Sequence, residues 1–240
     1  MFNPTVARLT YRALLGRRRA LILCVLPALL LVVAAAVRAM NGADDAVTSQ
    51  LLGGFALATL VPLIGVIAGT GAIGPEIDDG SVVYLLSKPV RRSTVIVTKL
   101  IVATGVTAVF SAVPVLIAGF VLNGNSQQLA VAYALAAVVA SVAYSALFLL
   151  LGTVSRHAVV LGLVYALIWE ALIGSLVEGA KTLSVQQWAL ALAEKVAGSG
   201  ADVDSSVGLP VALVLIVVVT VGGTVLAGQK LRSLTLAAEE

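Results

Sequence analysis

The sequence predicts an all-α integral membrane protein of six transmembrane helices, preceded by an N-terminal interfacial amphipathic helix. Three observations predict it. The chain is 60% hydrophobic with a mean hydropathy of +1.09, and only 11% of it is charged, against about 25% in an ordinary soluble domain. The apolar residues fall into six separate runs of the length that crosses a bilayer. Lysine and arginine are spread very unevenly over the segments between those runs.

The runs lie at about 20–37, 51–73, 100–122, 129–151, 158–177 and 209–228. Backbone groups have no water to bond in hydrocarbon, so each run must satisfy its own N–H and C=O groups as a helix. The shorter alternating segments of a β-barrel are absent. Polar breaks such as NGNSQQ at 123–128 and SRH at 155–157 separate the runs. No repeat or soluble domain interrupts the pattern, and residues 1–240 read as one transmembrane domain.

Orientation follows from the basic residues. Arg8, Arg12, Arg17, Arg18 and Arg19 precede span 1, and Lys88, Arg91, Arg92 and Lys99 lie between spans 2 and 3. Arg156 lies between spans 4 and 5, and Lys230 and Arg232 follow span 6. Only Arg38, Lys181 and Lys195 fall on the other side. This places both termini and the 74–99 loop in the cytoplasm of a cell-membrane protein, and the 178–208 segment outside.

At the N-terminus, Asn3-Pro4 reads as a helix cap followed by a first-turn proline. Phe2, Val6, Leu9 and Ala13 share a face of the helix that follows, with Arg8 and Arg12 off it. Such a helix lies on the inner leaflet. The alternative is a cleaved signal peptide ending near Ala34-Ala35-Ala36, but the apolar run is longer than a usual signal core. The sequence therefore favours retention of span 1. Arg17–Arg19 read as anchors for anionic lipid rather than for nucleic acid.

Pro27, Pro62 and Pro114 fall inside spans 1, 2 and 3, where proline permits a kink. Gly65 and Gly69 offer a small-residue face on span 2. In the 178–208 segment, Leu183, Trp188, Leu192 and Val196 share a helical face. Pattern alone favours a helix resting on the outer surface over a short re-entrant element.

Several chemistries are missing. There is no phosphate-binding G-x-x-x-x-G-K-[ST] loop, no dinucleotide fingerprint, no H-E-x-x-H and no C-x-x-C. The single His157 and single Cys24 support neither a metal cluster nor a triad. The chain is not expected to be an enzyme or to bind a cofactor. Glu170 is essentially the one ionisable group within a span. It either hydrogen-bonds between helices or lines a cavity. So little buried charge disfavours a gradient-driven carrier.

The 76–99 stretch, EIDDGSVVYLLSKPVRRSTVIVTK, concentrates charge in an otherwise apolar chain. A solvated, topology-fixing connector explains Arg91, Arg92 and Lys99. It does not explain Val82, Val83, Leu85 and Leu86, a run too short to span and too apolar for water.

The order of Glu76, Gly80-Ser81, Leu85-Leu86-Ser87, Pro89, Arg92 and Lys99 resembles the cytoplasmic signature of type-2 ABC transporter permeases, six-helix exporters. That resemblance implies a permease coupling ATP hydrolysis by a separate ABC ATP-binding subunit, which holds the ATP and Mg, to substrate export. It implies a second permease copy, as homodimer or heterodimer, and a coupling helix in the 74–99 loop. Val82, Val83, Leu85 and Leu86 would form the docking face, with Tyr84 at its edge. Asp78, Asp79, Arg91 and Arg92 would form its polar rim, and Gly80 the turn. Glu76 and Lys99 would close the base or simply be solvated. A membrane anchor or sensor using the same ATPase is the alternative.

Overall fold

A computed structural model describes residues 3–80, 92–124, 127–174, 177–198 and 203–236. Helix α1 spans Pro4–Leu14 and α2 spans Arg17–Asn41. Helix α3 runs on through Asp45–Gln50, Leu51–Leu60 and Val61–Gly71, with the short α4, Gly74–Asp78, close behind. Helices α5, Arg92–Leu122, and α6, Gln127–Val154, form an antiparallel pair. Helix α7 runs through Ala158–Val164 and Tyr165–Ile173, followed by α8, Glu178–Lys181, α9, Val185–Ala197, and α10, Leu209–Leu236.

Among the described residues, five helices are long and apolar enough to cross a membrane. They cover Ala20–Asn41, Asp45–Ile77, Arg92–Leu122, Gln127–Val154 and Leu209–Arg232. The fifth apolar run differs from expectation. Among the described residues its apolar helix is Ala158–Ile173, about 24 Å at the α-helical rise and short of the ~30 Å hydrocarbon core.

Helix α6 is the centre of the packing, with α3, α5, α9 and α10 all resting on it. Its buried positions include Ala130, Ala132, Ala136, Ala137, Ala140, Ala143 and Ala146. Small side chains let neighbouring backbones approach closely, which in a bilayer replaces much of the drive that water supplies to soluble folds. Gly65 and Gly69 of α3 face this helix. A Cβ on Gly69 would lie 2.6 Å from Phe148 Cβ. Hydroxyls join α5 to α6, with Ser111 and Ser141 oxygens 3.0 Å apart and Ser145 donating to Thr107 at 3.3 Å.

The middle of α3, Leu51–Leu60, is π-helical and ends beside Pro62. Proline has no N–H to offer the carbonyl four residues back, and its ring crowds that carbonyl. The wider turn relieves the crowding, and the N–H of Val61 reaches Ala56 O, five residues back.

Helix α1 is capped as expected, Asn3 Oδ1 accepting from the N–H groups of Thr5 and Val6. Its buried stripe is different. Val6, Thr10 and Leu14 are buried, while Leu9 and Ala13 are exposed and Phe2 lies outside the described residues. The helix turns toward α5, to which Asn3 N–H is tied through Thr98 Oγ1 at 3.1 Å. Thr10 tolerates burial because its hydroxyl donates to Val6 O at 2.9 Å.

Gly69→Val is expected to force α3 away from α6 and to cost about 1–3 kcal/mol of overpacking. Thermal unfolding of the detergent-solubilised protein checks this. Gly105→Ala, whose Cβ meets nothing within 4 Å, should leave the transition unchanged or raise it.

Candidate functional site

The two ends of the 76–99 stretch meet. Lys99, in the second turn of α5, is 0% exposed, and its ammonium donates to Glu76 Oε1 of α4 at 2.6 Å. It also donates to Ala72 O at 2.6 Å, at the end of α3. One cation thus ties α3, α4 and α5 together. Ala72, Ile73, Ile96 and Leu231 form a small apolar cluster at this end of the bundle. The geometry follows from the chain: α3 ends where an orphan carbonyl needs a donor, and a buried ammonium needs acceptors.

Beyond Glu76, α4 closes at Asp79, whose N–H bonds Pro75 O at 3.0 Å. Gly80 follows at φ +67°, the left-handed conformation that glycine adopts without penalty at a helix end. Asp79 is exposed, and the side chain of Asp78 is not among those described. Val82, Val83, Tyr84, Leu85, Leu86, Pro89 and Arg91 lie outside the described residues. Arg92, half-buried, already belongs to α5.

The same end holds the N-terminus of α1, tied to Thr98, and the last turns of α10, where Arg232 shares a cleft with Ser93 and Ile96. Arg156 joins Pro75 and Gly74 in a neighbouring cleft. At the opposite end, Arg38 donates to Leu122 O at 3.1 Å, and Asn123 donates to Asp45 at 2.6 Å.

Glu170 lies in the second, π-helical part of α7 and is 0% exposed. Both carboxylate oxygens are occupied. Tyr165 donates its hydroxyl at 2.8 Å and Ser184 at 2.6 Å, while the N–H groups of Val185 and Gln186 donate at 3.0 and 3.4 Å. Of the two readings of Glu170, the geometry matches the hydrogen bond between helices: its carboxylate caps the N-terminus of α9. An anion there satisfies orphan N–H groups and meets the positive end of the helix dipole. The π-helical turn sets up the first of these bonds. Residues five apart lie about 140° apart around an α-helix, but Tyr165 and Glu170 share a face here.

Helix α9 is therefore not a helix resting on the surface. Val185, Gln186, Trp188, Ala189, Ala193 and Ala197 are buried, and α9 packs on α6, α10 and the π-helical part of α3. Of the four residues expected to share its inner face, only Trp188 is buried; Leu192 is half-buried, and Leu183 and Val196 are exposed. Two glutamines hid the true face. Gln186 is buried because its amide donates to Gly53 O at 2.9 Å, and Gln187 Oε1 accepts from Ser206 N–H at 3.2 Å. Ser184 directly before an apolar run was a readable cap signal, but its hydroxyl serves Glu170 instead of its own helix.

Replacing Glu76 by Ala strands a buried ammonium with one carbonyl and should cost on the order of 3–5 kcal/mol. Lys99→Met should cost less, because the Glu76 side chain is 30% exposed and can be hydrated. Unfolding of both variants and of the double variant in detergent tests this order, and a larger loss for Lys99→Met would contradict it. Glu170→Leu removes the cap and is expected to loosen α9. In a Cys24→Ala background, Ala189→Cys should then react with an impermeant thiol reagent about tenfold faster, the equivalent of ~1.4 kcal/mol of easier opening.

Comparison with known proteins gives one family. The model described as ABC-2 family transporter protein matches residues 9–192, from α1 to within α9. No curated protein matches the chain.

Proposed function

We propose, from the premise that the chain belongs to the ABC-2 family of transporter proteins, that it is the permease of an ATP-driven exporter in the cell membrane. ATP and Mg are held by a separate ABC ATP-binding subunit. Two permease copies, identical or related, pair in the membrane, with an ATPase beneath each. The observation that carries this reading is the Lys99 bridge, at the base of the charged loop in a chain matched by the family over α1 to α9.

In this reading Val82, Val83, Leu85 and Leu86 seat in a groove of the ATPase, with Tyr84 at the edge and Asp78, Asp79, Arg91 and Arg92 as the polar rim. Closure of the ATPase pair moves the loop. Because Lys99 joins Glu76 and Ala72, that movement reaches α3 and α5 together, and rigid-body tilting of these helices opens an outward path.

Six spans complete the topology. The apolar stretch Ala158–Ile173 serves as the fifth of them, its short length made up by the capped α9. The described basic residues support the sidedness. Those around α1, the start of α5, the α6–α7 turn and the end of α10 lie at one end of the bundle, which the positive-inside rule puts in the cytoplasm. Helix α1 then lies along the inner leaflet, with Leu9 and Tyr11 facing lipid and Val6, Thr10 and Leu14 against the bundle.

The experiment is co-purification. Leu86→Asp puts a charge in the apolar docking face and should abolish recovery of the ATP-binding subunit with the tagged chain, while membrane insertion stays normal. Undiminished recovery of the ATPase would overturn the docking role.

A further inference from the structure

We propose that a cavity at the end of the bundle opposite the termini binds the ammonium-bearing headgroup of an amphiphilic molecule. The cavity, about 270 Å³, lies between the start of α3, α6, α9 and the segment before α10. Its size falls just below that of drug-sized sites and suits a headgroup whose hydrocarbon tail remains outside.

Ser49, Gly53 and Gly54 line it from α3, Tyr133 from α6, Gln186 from α9, and Asp204 from the following segment. The hydrogen bonds among these residues determine what is left over. Gly53 O can only accept, so the Gln186 amide must turn its Nε2 toward it, at 2.9 Å. That leaves Gln186 Oε1 without a partner among the described residues, on a side chain only 5% exposed. Tyr133 donates its hydroxyl to Ser49 O at 3.2 Å. The Ser49 hydroxyl, on a residue 7% exposed, also has no partner among the described residues. This is unlike Thr48 beside it, and Thr70, Thr107 and Ser141, each of which donates to the carbonyl four residues back.

Buried polar atoms are rarely left unpaired, and each exception calls for a partner. Here the buried leftover atoms lean toward acceptance. Gln186 Oε1 accepts only, the Ser49 hydroxyl can accept or donate, and Asp204 is the one acidic or basic side chain among the described residues lining the cavity, with Gln50 at its edge. Acceptors beside a negative charge select a ligand rich in donors and positively charged. An ammonium carries three donors and no acceptor, whereas an anion would meet Gln186 Oε1 and the Asp204 carboxylate as mismatched acceptors. Leu190 and Val203 border the same cavity and offer the tail an apolar start.

The glycines keep the space open rather than serving close packing. A Cβ on Gly54 would meet nothing within 4 Å, and one on Gly53 only ordinary contacts from 3.5 Å outward. The π-helical turns that carry both residues are a form of helix frequently found at functional sites.

The test uses the full chain in lipid nanodiscs without ATP, so it stands apart from ATPase docking and transport. A photoreactive dodecylamine is compared with a photoreactive dodecyl sulfate of the same chain length, and labelled peptides are identified by mass spectrometry. The amine should label peptides covering 45–60 and 184–204 saturably, and roughly tenfold more than the sulfate, the weight of one charge-assisted hydrogen bond. Ser49→Ala and Asp204→Asn should each reduce amine labelling severalfold without lowering the unfolding temperature. Gly54→Leu should block it. Equal labelling by amine and sulfate, or full labelling of Gly54→Leu, would overturn the proposal.

Discussion

Close approach to α6 is the constraint on which the bundle depends. Lipid tails are as apolar as leucine side chains, so membrane helices gain little from burying hydrophobic surface against each other. What they gain is contact, and contact requires small residues at the crossing points. Helix α6 supplies alanines toward α3, α5, α9 and α10, and the partners answer with small residues of their own, as where Gly119 of α5 meets Ala130. The outer helices α2 and α10, by contrast, carry Leu and Val side chains that stay exposed along their lengths.

Two buried charges then fasten what the alanines bring together. Lys99 and Glu170 are each fully enclosed, and each is satisfied in part by side chains and in part by backbone at a helix end. Lys99 takes the carbonyl that α3 leaves open, and Glu170 takes the N–H groups that α9 leaves open. Both arrangements put a charge where a helix terminus has the opposite partial charge. One lies at the end of the bundle that holds both termini, the other toward the opposite end. They brace the structure above and below the apolar middle.

Much of this was legible in the sequence. Long apolar runs bounded by polar breaks located the five long helices, because a bilayer allows few other structures. The skew of arginine and lysine matched the ends at which the described basic residues sit. Glu76 and Lys99 drew notice as the two ends of a charged loop. The inner face of α9 is hard to read because two polar side chains share it with the apolar ones: Gln186 and Gln187 look solvated in a sequence and are buried. Three of the four partners of Glu170 lie 14 to 16 residues on, at the start of α9, beyond any local pattern. The π-helical stretches were equally hidden. Pro62 announced a disturbance in α3, but not its form.

The enclosure of Glu170 has a consequence for how the protein is made. Chains emerge from the ribosome N-terminus first, so the apolar segment 158–173 reaches the membrane before Ser184, Val185 and Gln186 exist. At that moment Tyr165 is the single one of its four donors already synthesised. A short segment bearing an acid is a poor candidate for insertion on its own, since an ionisable group near the helix centre costs about 2.5–3.5 kcal/mol on insertion scales. Its settled position waits for the residues that follow. The later helix thus supplies donors that the earlier segment, with its acid, lacks until then.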